Sequence, residues 1–124
     1  MIELANPGDS EVWREGVETR VVAAARNGAR ELCIFEQWVA PGMGAPTHSH
    51  PVEEVLTVRA GTAEAWIGDQ RVRLTEGQSI VVPAGATHGF ANVATAPLHI
   101  QAVLASDHFE AVYADGRSVT RWVK

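Results

Sequence analysis

The chain has 124 residues, of which 46% are hydrophobic and 20% charged, with a net charge of −5. That length supports one domain, residues 1–124, with its own core, and the acidic balance without any basic run argues against a nucleic-acid partner. No apolar run reaches the length of a membrane span, Met1-Ile2-Glu3-Leu4 lacks the regions of a secretion signal so that the expected compartment is the cytoplasm, and a single cysteine, Cys33, excludes an internal disulfide.

In chain order the sequence reads as short strands broken by turn residues. Thr19–Ala25 and Glu31–Val39 are β-compatible and flank Asn27-Gly28, the signal of a type I′ hairpin. Cys33 lies in the apolar run Leu32-Cys33-Ile34-Phe35 and is expected to be a packed thiol rather than a reactive one. Pro41-Gly42 ends this strand. Glu54–Arg59, Ala63–Ile67, Arg71–Leu74, Ser79–Val82, His88–Val93 and Leu98–Leu104 follow, punctuated by Ala60-Gly61, Gly68-Asp69, Gly77 and Pro83-Ala84-Gly85. Phe109, Val112 and Tyr113 are spaced i, i+3, i+4, which predicts a single turn or short helix. Trp13 and Trp122 lie near the two ends, and their segments are expected on the outside of the domain or against a second subunit. Many short strands without a long helix indicate an all-β sandwich or barrel.

Three of the five histidines stand in one pattern, with a carboxylate beside them. His48 and His50 are two apart, so an extended backbone puts both on one face. Glu54 opens a strand and shares a face with Leu56 and Val58. His88 opens another, with Phe90 and Asn92 on its face. Two antiparallel strands are expected to bring the four side chains to one point. Three imidazoles and a carboxylate are a nitrogen–oxygen donor set for one divalent metal ion.

Between residues 42 and 61 and between 77 and 92 the chain resembles the cupin superfamily. The first motif of that family is matched by Gly42, His48, His50, Glu54 and Gly61, and the second by Gly77, Pro83, Gly85, His88 and Asn92. Residues Thr62–Glu76 form a short spacer, as in small bacterial cupins. Gln78 stands where many relatives have Asp, a turn position outside the ligand set. The resemblance implies a jelly-roll barrel (a double-stranded β-helix), usually a homodimer, with His48, His50, Glu54 and His88 as metal ligands. The ion could be Fe, Mn, Ni, Co, Zn or Cu. Four such ligands leave open positions for a substrate.

Alternation on neighbouring strands names the pocket wall. Cys33, Phe35 and Gln37 are expected inside, leaving Glu36 outside. Leu98, Ile100, Ala102 and Leu104 are expected inside, with His99 and Gln101 outside. Phe35, Gln37, Phe90, Ile100 and Ala102 are therefore the candidate pocket residues, and beyond the ligands the pattern places no His, Lys or Tyr there. A mostly apolar pocket around an open metal suits a dioxygenase-type oxidoreductase acting on a small aromatic, flavonol-like, enolic or diketone molecule. The alternatives are a non-redox isomerase, lyase or cyclase, for example on a sugar or uronate, and a non-catalytic small-molecule binder.

Overall fold

A computed structural model describes residues 1–124. Twelve strands and one 3₁₀ turn make up the chain: β1 (Glu11–Arg14), β2 (Val17–Ala23), β3 (Cys33–Val39), β4 (Gly44–Ser49), β5 (Glu54–Ala60), β6 (Thr62–Ile67), β7 (Gln70–Thr75), β8 (Ser79–Val82), β9 (His88–Asn92), β10 (Leu98–Leu104), β11 (Phe109–Tyr113) and β12 (Ser118–Arg121). They form two antiparallel six-stranded sheets, ordered β1-β2-β3-β10-β5-β8 and β12-β11-β4-β9-β6-β7. This is the jelly roll expected from the sequence. No helix is long and apolar enough to cross a membrane.

Alternation sets what faces the interior. On β3, Cys33, Phe35, Gln37 and Val39 are buried, and on β10 so are Leu98, Ile100, Ala102 and Leu104. Each large aliphatic side chain removed from water contributes about 1.5–3 kcal/mol. Glu36 and His99 lie on the outer face, where the His99 Nε2–H donates to Glu36 at 2.8 Å and its ring stacks on Trp38. Cys33 is fully buried, and burial, with the charges of Glu54 and Asp107, pushes its thiol up to about 12. It should stay unmodified by iodoacetamide at pH 8 in the folded protein and react only after denaturant is added. Stoichiometric labelling of the native protein within minutes would contradict this placement.

Four expectations change. The turn after β2 is not a two-residue type I′ hairpin: Ala25–Asn27 form the 3₁₀ turn, and only Gly28 has positive φ. The Asn27 side chain decides this, accepting from the Ala24 N–H at 2.7 Å and donating to Asn6 O and Val22 O, so it holds the loop to the N-terminal segment. Phe109–Tyr113 is strand β11 rather than a helical turn. Its true period is two, with Phe109, Ala111 and Tyr113 buried and Val112 exposed. The end segments do not pack outside. Trp122 is 1% exposed, and Trp13, Phe35, Phe109 and Trp122 form one aromatic cluster with centroids 4.9–6.2 Å apart. Finally, Gly44–Ser49, around the first two histidines, is itself a strand. Its ladder with β9 is irregular between Ala45 and His48, which accommodates Pro46, a residue with no N–H.

Two motif residues earlier matched by spacing have structural explanations. Gly61 has φ +93°, and a Cβ there would lie 2.9 Å from Pro97 O, so only glycine fits. Asn92 is buried. Its Nδ2 donates to Val39 O at 3.0 Å and Ala96 O at 2.9 Å, and its Oδ1 accepts from the Ala94 N–H at 3.0 Å, which ties the turn into β10. Asn92→Ala should destabilise the protein by about 2 kcal/mol through unpaired buried groups, lowering the thermal midpoint by roughly 5–10 °C. A change within 1 °C, on the order of measurement error, would remove this role.

Candidate metal centre

The histidines meet because β4 and β9 pair with His48 directly opposite His88. His50 follows β4 and is fixed from two sides. Its Nδ1–H donates to Glu110 O on β11 at 2.8 Å, and its own carbonyl accepts from the Gly85 N–H at 2.8 Å. Candidate ligand atoms of His48, His50 and His88 all lie within 4.8 Å of one another, and all three residues are buried. Glu54 arrives from the other sheet, at the start of β5, paired with Val82 and Leu104. The four side chains thus come from three chain segments across both sheets, not from two strands of one. Glu54 Oε1 is 3.0 Å from His88 Nε2, and Oε2 is 3.5 Å from His50 Nε2.

Hydrogen bonds fix the ring tautomers. His48 Nδ1–H donates to Pro46 O at 2.6 Å, His50 Nδ1–H to Glu110 O at 2.8 Å and His88 Nδ1–H to Ala86 O at 3.0 Å. A carbonyl only accepts, so each Nδ1 carries hydrogen, and in the neutral ring Nε2 is a bare lone pair. Such backbone carbonyls are the partners that orient metal-binding imidazoles. Two of these lone pairs face a buried carboxylate, and His50 Nε2 has no hydrogen-bond partner at all. Acceptor aimed at acceptor is repulsive unless a proton or a metal ion lies between, and at 3.0 Å the His88 Nε2 and Glu54 Oε1 atoms leave place for either. The residues therefore fit a divalent ion with nitrogen and oxygen preference, and the absence of sulfur leaves the first-row metals open.

Protonation follows the same geometry. Burial, then the neighbouring His88 charge, brings His48 down to about 4, so it is neutral at pH 7. Burial alone would raise the Glu54 carboxyl, but the facing His50 and His88 rings, where a proton rather than a metal ion lies between them and the carboxylate, outweigh it and hold it at about 2. His50 is raised, since Glu54 outweighs the opposing effect of burial.

Beside the cluster lies a cavity lined by His48, Glu54 and His88, with Phe35, Gln37, Phe90 and Ile100 among its walls. Its free space is about 20 Å³, room for about one water. Ala102 is fully buried but does not line it; the residue lies farther along β10 than Ile100, opposite Phe35. The Gln37 Nε2 donates to Thr19 Oγ1 at 3.1 Å, so this amide is partly committed to the fold. The sequence reading missed Trp13, Arg14, Phe109 and Tyr113, all of which line the cavity. The expectation that no His, Lys or Tyr beyond the ligands enters the pocket is therefore wrong for Tyr113. Tyr113 pairs with His48 across β11 and β4, with ring centroids 5.4 Å apart. Its alternation with Phe109 and Ala111 was the available signal. Arg14 sits on β1, which no hydrophobic period announces.

Comparison with known proteins supports the fold. The xanthan biosynthesis protein XanB of Xanthomonas campestris pv. campestris (strain B100) is 39% identical over 64 residues, 50% of this chain but only 14% of that protein. KdgF from Halomonas sp. superposes with a TM-score of 0.69 at 20% identity, covering 79% of this chain and 88% of KdgF. Bacillus subtilis oxalate decarboxylase, a protein with Mn(II) centres, gives a TM-score of 0.79 at 21% identity, covering 86% of this chain and 30% of that one. The family model described as Cupin domain matches residues 35–104, a span holding both motifs, the three clustered histidines and Glu54, and on that match the chain belongs to the cupin domain family.

Proposed function

We propose that this chain is a metal-dependent enzyme for a small organic molecule, with His48, His50, His88 and Glu54 holding one divalent ion. The convergence of three buried imidazoles, each with Nδ1 committed to a backbone carbonyl and Nε2 turned towards a carboxylate-lined centre, carries this reading. Such an ion supplies Lewis acidity and, where it is iron or manganese, redox capacity. The chain supplies the rest. Phe35, Phe90, Ile100 and Phe109 give an apolar wall that limits water, and this wall favours a dioxygenase-type oxidoreductase. Metal analysis of protein purified without chelator, followed by O₂ uptake with Fe(II)- and Mn(II)-loaded protein on enolic and diketone compounds, tests it. Metal-free protein that takes up no ion removes the whole reading, and loaded protein without O₂ uptake removes the oxidative one.

One observation favours a second chemistry. Arg14 and Tyr113 give the cavity a cation and a hydroxyl, equipment for a non-redox isomerase, lyase or cyclase that holds an oxyanion. Product formation under strict anaerobiosis selects it, and a strict need for O₂ excludes it. The cytoplasmic homodimer expected from the sequence belongs to the same proposal, and sedimentation velocity at micromolar concentration decides the dimer.

A further inference from the structure

Three arginines are half-buried: Arg14, Arg20 and Arg121. Arg20 pairs with Glu36 at 3.6 Å, and Arg121 with Glu11 at 3.8 Å. Arg14 has no carboxylate partner, although the chain carries an excess of acidic residues. Its guanidinium lines the cavity beside the histidine cluster, and its bonds go only to neutral acceptors: Nη1–H to Gly44 O at 3.1 Å and Nη2–H to Tyr113 Oη at 3.2 Å. Its remaining N–H groups have no protein acceptor and, unlike the buried Nε of Arg20 and Arg121, stay open to a ligand or to water. The one carboxylate that shares the cavity, Glu54, is taken by His50 and His88. A half-buried cation with no counter-ion and with free donors gains when an anion joins it, and a guanidinium matches a carboxylate with two parallel hydrogen bonds.

We propose that Arg14, seconded by the Tyr113 hydroxyl, is the specificity-determining residue of the site and selects a small molecule bearing a carboxylate. This rests on the reading that the cavity beside the histidines is the substrate site. Two features of β1 support it. Arg14 lies on an edge strand of four residues, the wall element with the fewest ladder partners, so a ligand larger than the present free space enters on its side. The same strand is anchored along its length: the Trp122 Nε1–H donates to Glu11 Oε2 at 2.9 Å, and Trp13, next to Arg14, is covered by Arg121 at 4.3 Å and packed on Phe35, Phe109 and Trp122. Arg14 is thereby aimed at the cavity.

The test titrates malonate and its uncharged isostere malonamide into wild type, Arg14→Gln and Arg14→Lys, each metal-free and Co(II)-loaded, by calorimetry and, for loaded samples, by the visible Co(II) bands. Wild type should prefer malonate at least about tenfold, the scale of a charge-assisted pair. Arg14→Gln should lose about tenfold in malonate affinity, and with it most of the preference for malonate over malonamide, with Co(II) affinity unchanged. Arg14→Lys, which keeps the charge without the fork, should hold a reduced preference. Equal binding of the two compounds by wild type, or an Arg14→Gln protein that binds malonate as wild type does, overturns the proposal. If Arg14→Gln does not fold, the wild-type preference and the Arg14→Lys series decide it. Failure of wild type to bind Co(II) overturns the metal reading instead, and the metal-free titrations then judge Arg14 alone.

Discussion

His88→Ala should lose metal binding by about a hundredfold. Structural zinc sites with four ligands have apparent binding free energies on the order of 10–16 kcal/mol, so an even share is about 3 kcal/mol per ligand, or about two decades in affinity. His88 is a severe case because it contributes twice, as a ring in the cluster and as the partner of Glu54 Oε1 at 3.0 Å. The readout is thermal. At an ion concentration about 100 times the wild-type Kd, loading stabilises wild type by about 2.7 kcal/mol, whereas a hundredfold weaker variant gains only about 0.4 kcal/mol. Melts of both proteins with and without Co(II) should therefore show a gap of roughly 10 °C in wild type and about 1–2 °C in the variant. His108→Ala removes a half-buried imidazole held between Asp107 and Glu110 on the surface, and it should keep the wild-type gap. If His88→Ala keeps the gap too, His88 is not a ligand.

The residues that carry this prediction were legible in the sequence because they are local. His48 and His50 share a face by spacing alone, and Glu54 and His88 each open a strand with apolar inward neighbours, Leu56 and Val58 on one and Phe90 on the other. The inward sets of β3 and β10 were legible for the same reason, since alternation survives wherever one face is buried. What escaped was set by long-range partners. Arg14 reaches the cavity because β1 pairs with β2 and is pinned by Trp122 from the far end of the chain. Tyr113 reaches it because β11 adds to the edge of β4. Trp122 has φ 61°, the one positive φ outside glycine, and it is held there by its bond to Glu11 and the aromatic cluster. Nothing within a few residues of these positions encodes such contacts, and the i, i+3, i+4 spacing of Phe109, Val112 and Tyr113 pointed to the wrong period.

Acid should unfold the metal-free protein in two stages, and His48 drives the first. Its folded value is about 4, lowered from 6.5, so between pH 6.5 and 4 the unfolded chain binds a proton that the folded one refuses. Stability therefore falls as pH drops through that window, by on the order of 3 kcal/mol in full. Glu54 drives the second. Its folded value is about 2, lowered from 4.5, so the stability it contributes is present above pH 4.5 and lost as pH falls towards 2, again on the order of 3 kcal/mol. His50, raised by Glu54, acts in the opposite sense: its contribution is complete below pH 6.5 and disappears as pH rises through its folded value. The metal-free midpoint should therefore peak near pH 6.5 and fall on both sides, which melts at pH 8, 6.5, 5 and 4 can read. His48→Asn should flatten the arm between pH 6.5 and 4 and leave the alkaline arm in place. A wild-type midpoint that does not drop between pH 6.5 and 4 would show that His48 is not held neutral. With the ion bound the alkaline arm should shrink to the small part that the surface residue His108, raised by Asp107 and Glu110, contributes, because the charge that Glu54 requires beside it then comes from the metal rather than from a proton on His50. The acid arm should steepen, because protons must displace the ion from three imidazoles at once.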